Sequence, residues 1–200
     1  MTVIPPLYVA TAGLLPAAET LAAAQGWPTP VQVEDRKRDL GALVGACEAV
    51  LWLDEHGLAL QALDKPLPRP VRVDFASEAM SWRTRGGGGG EAVVRACGVR
   101  AGRPVRVFDA TAGLGRDAWL LAHVGAEVTL CERSPVVHAL LADGLARATR
   151  ESACAATVAR MTLLAGSSLA QMRSMMTLSP AERPETVYLD PMFPHREKSA

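Results

Sequence analysis

The sequence carries no surplus of charge: 21 Lys and Arg residues balance 21 Asp and Glu residues. Sequence-blind binding of nucleic acid needs a net basic surface, so this balance argues against it and leaves room only for a local basic patch. The four cysteines, Cys47, Cys97, Cys131 and Cys154, form no C-x-x-C pair, which excludes the usual zinc and redox-dithiol patterns. They read as free, mostly buried thiols of a reducing cytoplasm. His56, His123 and His138 are scattered without metal-ligand spacing, and no metal is expected. No stretch reads as a membrane span or signal peptide. The apolar run from Leu7 to Ala24 is broken by Pro16 and Glu19, and no basic residue precedes it. The glycine run 86–90 lacks the Lys-Ser/Thr of a phosphate-binding P-loop and reads as a flexible connector.

What is present is an ordinary globular composition, 49% apolar and 21% charged over 200 residues. Residues 1–80 read as a small mixed α/β domain. Its strand candidates are Leu7–Ala10 and Val71–Phe75. Pro16–Gln25 is helical, and apolar runs on either side of Asp54-Glu55-His56-Gly57 form a hairpin. Residues 81–104 read as a Gly-rich loop and a linking helix. From residue 105 to 200 strands and helices alternate. The strands are Val105–Asp109, Glu127–Cys131, Met161–Leu164 and Thr186–Asp190, which predicts a parallel sheet with crossover helices. Open sheets of this kind normally have more strands, so the sequence reads as lacking C-terminal ones.

The strand 105–109 ends in Asp109 and runs into Ala-Thr-Ala-Gly113-Leu-Gly115-Arg116-Asp117. Glycines here permit φ > 0 and close approach of a ligand to backbone. The following helix offers free N–H groups to a carboxylate or phosphate. Asp109 either accepts from a ligand amino group or fixes the loop. Glu132, nineteen residues after Gly113, ends the next strand and suits both hydroxyls of a ribose. Arg133 flanks the adenine in such a site. Ser167 and Ser168 follow the third strand and either touch the adenine edge or cap a helix. Gly113-x-Gly115-x-x-Ala118 also matches a dinucleotide fingerprint. Asp109 favours an S-adenosylmethionine site instead, because that fingerprint has no carboxylate four residues before its first glycine.

At the end of the fourth strand stands Asp190-Pro191-Met192-Phe193, which resembles the [D/N]-P-P-[Y/F] motif of methyltransferases acting on exocyclic amino groups of bases. Such an amine is a poor nucleophile, since its lone pair is delocalised into the ring. Asp190 and a backbone carbonyl beside Pro191 can accept its N–H bonds and turn the lone pair toward the methyl group. Phe193 can stack on an extruded base. Met192 departs from the pattern by replacing its second proline. Trp82, Arg83 and Arg85, and after the motif His195, Arg196 and Lys198, are candidate substrate contacts. The acid-flanked Arg36-Lys37-Arg38 reads as a solvated face.

Taken together, these stretches resemble the small-subunit ribosomal RNA guanine-N2 methyltransferases of the RsmJ type. Asp109–Asp117, Glu132–Val137, Asp143–Arg147, Ser167–Leu169 and Val187–His195 carry the resemblance. So do Arg36–Asp39, Val73–Phe75 and the run from Gly86 to Glu91. It implies a Rossmann-like class I methyltransferase sheet with a small N-terminal mixed α/β domain. It implies methyl transfer from S-adenosylmethionine to N2 of a guanine near the 3′ end of the small-subunit RNA, in a bacterial cytoplasm. It also implies cofactor contacts at Arg116, Asp117, Glu132, Arg133, Ser167, Ser168 and Asp190. An adenine-N6 methyltransferase, or less readily an NAD-binding oxidoreductase, is the alternative expectation.

Overall fold

The computed structural model describes residues 4–191, apart from the side chains at positions 37 and 86. In chain order the elements are β1 (Leu7–Val9), α1 (Leu15–Gln25), β2 (Val31–Gln32), α2 (Arg36–Leu43), β3 (Ala49–Asp54), β4 (Gly57–Ala62), α3 (Glu78–Thr84) and α4 (Ala92–Ala96). They continue with β5 (Arg106–Asp109), α5 (Arg116–Val124), β6 (Glu127–Glu132), α6 (Pro135–Ala148), α7 (Ser152–Val158), β7 (Met161–Ala165), α8 (Ser168–Met175) and β8 (Thr186–Tyr188). The chain divides into two units. One holds residues up to 80 together with 134–155, and the other holds 81–133 together with those from 156 onward.

In the first unit the sheet order is β2-β1-β3-β4. β1 runs parallel to both β2 and β3, and β3 and β4 form the expected antiparallel hairpin. Leu7, Val9, Leu40, Leu51 and Leu58 have essentially no solvent exposure. Val71–Phe75 is not a strand. Only Val71 bridges to Leu60; beyond it Arg72 pairs with Asp54 and the Val73 carbonyl accepts from Arg147. Helix α2, which the pattern did not reveal, starts at Asp35, whose carboxylate caps the Arg38 N–H at 3.0 Å. The basic run on it divides. Arg38 is exposed, whereas Arg36 lies over the Trp52 ring at 5.3 Å and donates to the buried Gln61.

Helix α6 belongs to this unit, which a simple division at residues 80 and 105 does not anticipate. Asp143 accepts the Leu58 N–H at 3.1 Å and the Arg147 Nε at 2.8 Å, while Arg147 also donates to the Val73 carbonyl. Gly144 allows this approach. A methyl group placed there would lie 2.4 Å from Val73 Cγ1.

In the second unit the sheet order is β7-β6-β5-β8, and every pair is parallel. Central strands β5 and β6 are mostly buried, as a sheet with crossover helices requires. The chain steps from β5 to β6 and β7 on one side, then crosses to β8 on the other. The junction of β5 with β8 is therefore the switch point, where ligands of such sheets bind beyond the strand ends. Residues 81–84 depart from the expected loop, which begins only after them: a 3-10 turn over Arg85–Gly87 and then turns at 88–90. Helix α3 runs to Thr84, since the glycines begin only at position 86, and Trp82 and Arg83 sit on that helix.

Candidate cofactor and reaction cleft

All the site elements lie in the second unit. Gly115, at φ +71°, caps α5, and Gly113 is at φ +53°, both in the left-handed region where a side chain brings strain. The turn between them is stitched to β6. The Ala112 N–H reaches the Cys131 carbonyl at 3.2 Å, and the Gly113 N–H donates to Glu132 Oε2 at 3.0 Å. Glu132 thereby stands beside the turn, where a carboxylate must be if it is to accept ribose hydroxyls. The Gly166 N–H donates to the Glu132 carbonyl at 2.9 Å, which sets the segment leading to Ser167 and Ser168 next to it. Ser167 occupies the cap position of α8, yet its hydroxyl makes no capping bond. Arg133 is exposed at the mouth of the same strand end.

On the β8 side, Asp109, Thr111, Arg116, Asp117, Tyr188 and Asp190 line a cleft of about 190 Å³. The Ala110 N–H donates to the Tyr188 carbonyl at 3.0 Å, and the Asp190 N–H donates to Thr111 Oγ1 at 2.8 Å. Asp190 and Pro191 are exposed. Phe193, His195, Arg196 and Lys198 lie outside the described residues. Trp82, 67% exposed, and Arg85 face solvent. Arg83 does not. Its guanidinium pairs with Glu91 at 3.4 Å and Asp117 at 3.2 Å. Thr111 and Tyr188 are structural partners that local sequence patterns gave no reason to single out. Among the described residues no group of three or more His, Cys, Asp or Glu is placed to hold a metal ion. All four cysteines are free, and Cys97, Cys131 and Cys154 are buried.

Asp109 is only 2% exposed and accepts the Thr111 N–H at 3.0 Å. Burial pushes its pKa up from 3.8 to about 6, and the charges of Asp117, Glu132 and Asp190 add to the rise against the Thr111 hydrogen bond. The cleft thus combines several carboxylates with the Arg116 guanidinium. It fits a ligand bearing an ammonium, a carboxylate and a sulfonium. A carboxyl pKa raised by folding means that the native state holds the proton more tightly than the unfolded chain. The resulting stabilisation is fully present below the ordinary value of 3.8 and is lost as pH rises through about 6. The loss amounts to about 3 kcal/mol. We expect Asp109→Asn to melt like the unaltered protein near pH ~4 and at a higher temperature above pH ~6.5. Parallel melting curves at all pH values contradict a buried, ionising Asp109.

Comparison with known proteins identifies the family and the fold. The family model described as "Putative SAM-dependent methyltransferase" matches residues 37–200. The crystal structure of the SAM-dependent methyltransferase NGO1261 from Neisseria gonorrhoeae superposes with a TM-score of 0.65 at 31% identity, covering 94% of this chain and 70% of that one. Fold and match place the chain in the class of S-adenosylmethionine-dependent methyltransferases with a Rossmann-like sheet.

Among curated proteins, ribosomal RNA small subunit methyltransferase J of Marinobacter nauticus is 53% identical over 165 residues, 82% of this chain and 55% of that protein. The protein of the same name from Cellvibrio japonicus is 43% identical over 198 residues, 96% of this chain and 71% of that protein. A Pseudomonas fluorescens relative is 46% identical over 190 residues, 94% of this chain and 66% of that protein. The chain belongs to the ribosomal RNA small subunit methyltransferase J family. It spans between 55% and 66% of the length of the Marinobacter and Pseudomonas relatives.

Proposed function

We propose that this protein transfers a methyl group from S-adenosylmethionine to N2 of a guanine in small-subunit ribosomal RNA. One observation carries the reading. In a chain of this family, the carboxylates suited to the cofactor and Asp190 meet across the β5–β8 switch point. The bound cofactor supplies an electrophilic methyl group on a sulfonium.

The remaining roles fall to the protein's own groups. Glu132 accepts from the ribose hydroxyls, while the Gly113–Gly115 turn lets backbone approach the ligand. Arg133, Ser167 and Ser168 flank the adenine. Asp109, Asp117 and Arg116 hold the amino-acid end. The cleft, at about 190 Å³, suits one end of the ligand, since pockets that enclose a whole small molecule run to ~300–1,000 Å³. Asp190 and the carbonyl preceding Pro191 accept the N–H groups of the guanine amine, and Phe193 stacks on the base. Trp82, Arg85, His195, Arg196 and Lys198 contact the RNA. Such a substrate puts the protein in the cytoplasm.

Incubating the protein with isotopically labelled S-adenosylmethionine and unmodified small subunits, then digesting the RNA to nucleosides, tests the proposal. Labelled N2-methylguanosine is the expected product. Labelled N6-methyladenosine would overturn the choice of base.

A further inference from the structure

We infer that Tyr188 and Arg83 are positioning residues for the cofactor, acting through Asp117. The inference rests on the cofactor reading above and identifies the groups that aim one of its carboxylates. The Tyr188 hydroxyl donates to Asp117 Oδ2 at 2.9 Å. Arg83 donates to the other oxygen, Oδ1, at 3.2 Å, and reaches Glu91 Oε2 at 3.4 Å. Both oxygens of Asp117 are therefore engaged, by donors 71 and 34 residues away in the chain.

A carboxylate in the first turn of a helix is ordinarily free to rotate in solvent. This one is held in one orientation by two hydrogen bonds, of which the one from Arg83 is also an ion pair. The Arg83 and Asp117 side chains are each 29% exposed, so their attraction is less screened than that of a surface pair. Burial and the hydrogen bond to Asp117 hold the Tyr188 hydroxyl well above the ordinary phenol range, so it remains a donor at neutral pH.

The placement of Tyr188 gives the contact a second consequence. Its own carbonyl accepts the Ala110 N–H, and Asp190, two residues further on, is tied to Thr111. The side chain that orients Asp117 thus springs from the strand end that carries Asp190. Tyr188 couples the start of α5, on the cofactor side, to the reacting side of the cleft. Alkyl transfer is sensitive to misplacement of about 1 Å, so a tie of this kind bears on rate as well as on binding. Arg83 extends the tie to α3, which makes it a support of the cleft rather than a substrate contact.

The test is calorimetric titration with two ligands, S-adenosylhomocysteine and 5′-methylthioadenosine. The second keeps the nucleoside and thioether but lacks the amino-acid end. The proteins are the unaltered chain, Tyr188→Phe, Arg83→Met and Arg83→Lys, each with a thermal melt. Tyr188→Phe and Arg83→Met are expected to weaken S-adenosylhomocysteine about 5- to 20-fold while methylthioadenosine changes by less than about twofold. Arg83→Lys, which keeps the charge, is expected to recover most of the loss. Unchanged affinity in both disrupted variants, or an equal loss for both ligands, overturns the positioning role. Failure of the unaltered chain to bind S-adenosylhomocysteine overturns the cofactor reading itself, and the inference with it. If Arg83→Met fails to fold, Tyr188→Phe carries the test, because it removes a single oxygen atom.

Discussion

Asp190→Ala is expected to lower the rate of methyl transfer by about 10²- to 10³-fold at saturating cofactor, with the fold intact. On the proposed reaction, the rate falls because the guanine amine needs a hydrogen-bond acceptor to free its lone pair, and alanine's side chain offers none. The fold survives because Asp190 is exposed and its tie to Thr111 runs through the backbone N–H, which alanine keeps. Asp190→Asn retains an acceptor oxygen and is expected to fall between the two. Single-turnover methylation, paired with a melting curve for each variant, separates the effects. An Asp190→Ala protein that melts normally and transfers methyl at the unaltered rate would place the reaction elsewhere.

Gly144→Val is expected to bring a large loss of stability. The first added carbon would lie 2.4 Å from Val73 Cγ1, 2.6 Å from Val73 Cβ and 3.1 Å from the Val73 carbonyl oxygen. Two of these obstacles are backbone or attached directly to it, so no side-chain rotation relieves them. Replacing glycine in a helix ordinarily gains a few tenths of a kcal/mol for a residue such as valine. Overpacking of this severity costs about 2–4 kcal/mol and outweighs that gain. For a chain of this size the melting temperature should drop by roughly 5–15 °C. Adding Val73→Ala should restore part of the loss, because it removes Cγ1 from the collision. A fully additive double variant would contradict the contact between α6 and the 73 segment.

The parts of the fold legible in the sequence are those written locally. The strand ending at Asp109, the glycine turn and the start of α5 are contiguous, and alternation of strands and helices predicted the parallel pairing that β5 to β8 adopt. The hairpin around Asp54–Gly57 was legible for the same reason. Elements that depend on distant partners were not. Val71–Phe75 alternates like a strand but bridges to a neighbouring strand only at Val71. Helix α3 was hidden because the glycines after it dominated the reading of residues 81–90. Arg83 looked like a substrate contact because its neighbours are Trp82 and Arg85, yet the structure draws it to Asp117 and Glu91. Tyr188 resembled any strand residue, and its hydroxyl acquires meaning only when β8 pairs with β5 and brings Asp117 within reach. Spacing in the sequence cannot report a bond that sheet order creates.

Calorimetric titration of the protein with S-adenosylhomocysteine and, in parallel, with NAD, repeated on Glu132→Ala, tests the cofactor site. S-adenosylhomocysteine is expected to bind and NAD not to. Glu132→Ala is expected to weaken binding by about 10- to 100-fold, because the substitution removes a charged acceptor for hydroxyl groups. Binding of NAD alone, or an affinity for S-adenosylhomocysteine indifferent to Glu132, would contradict that site.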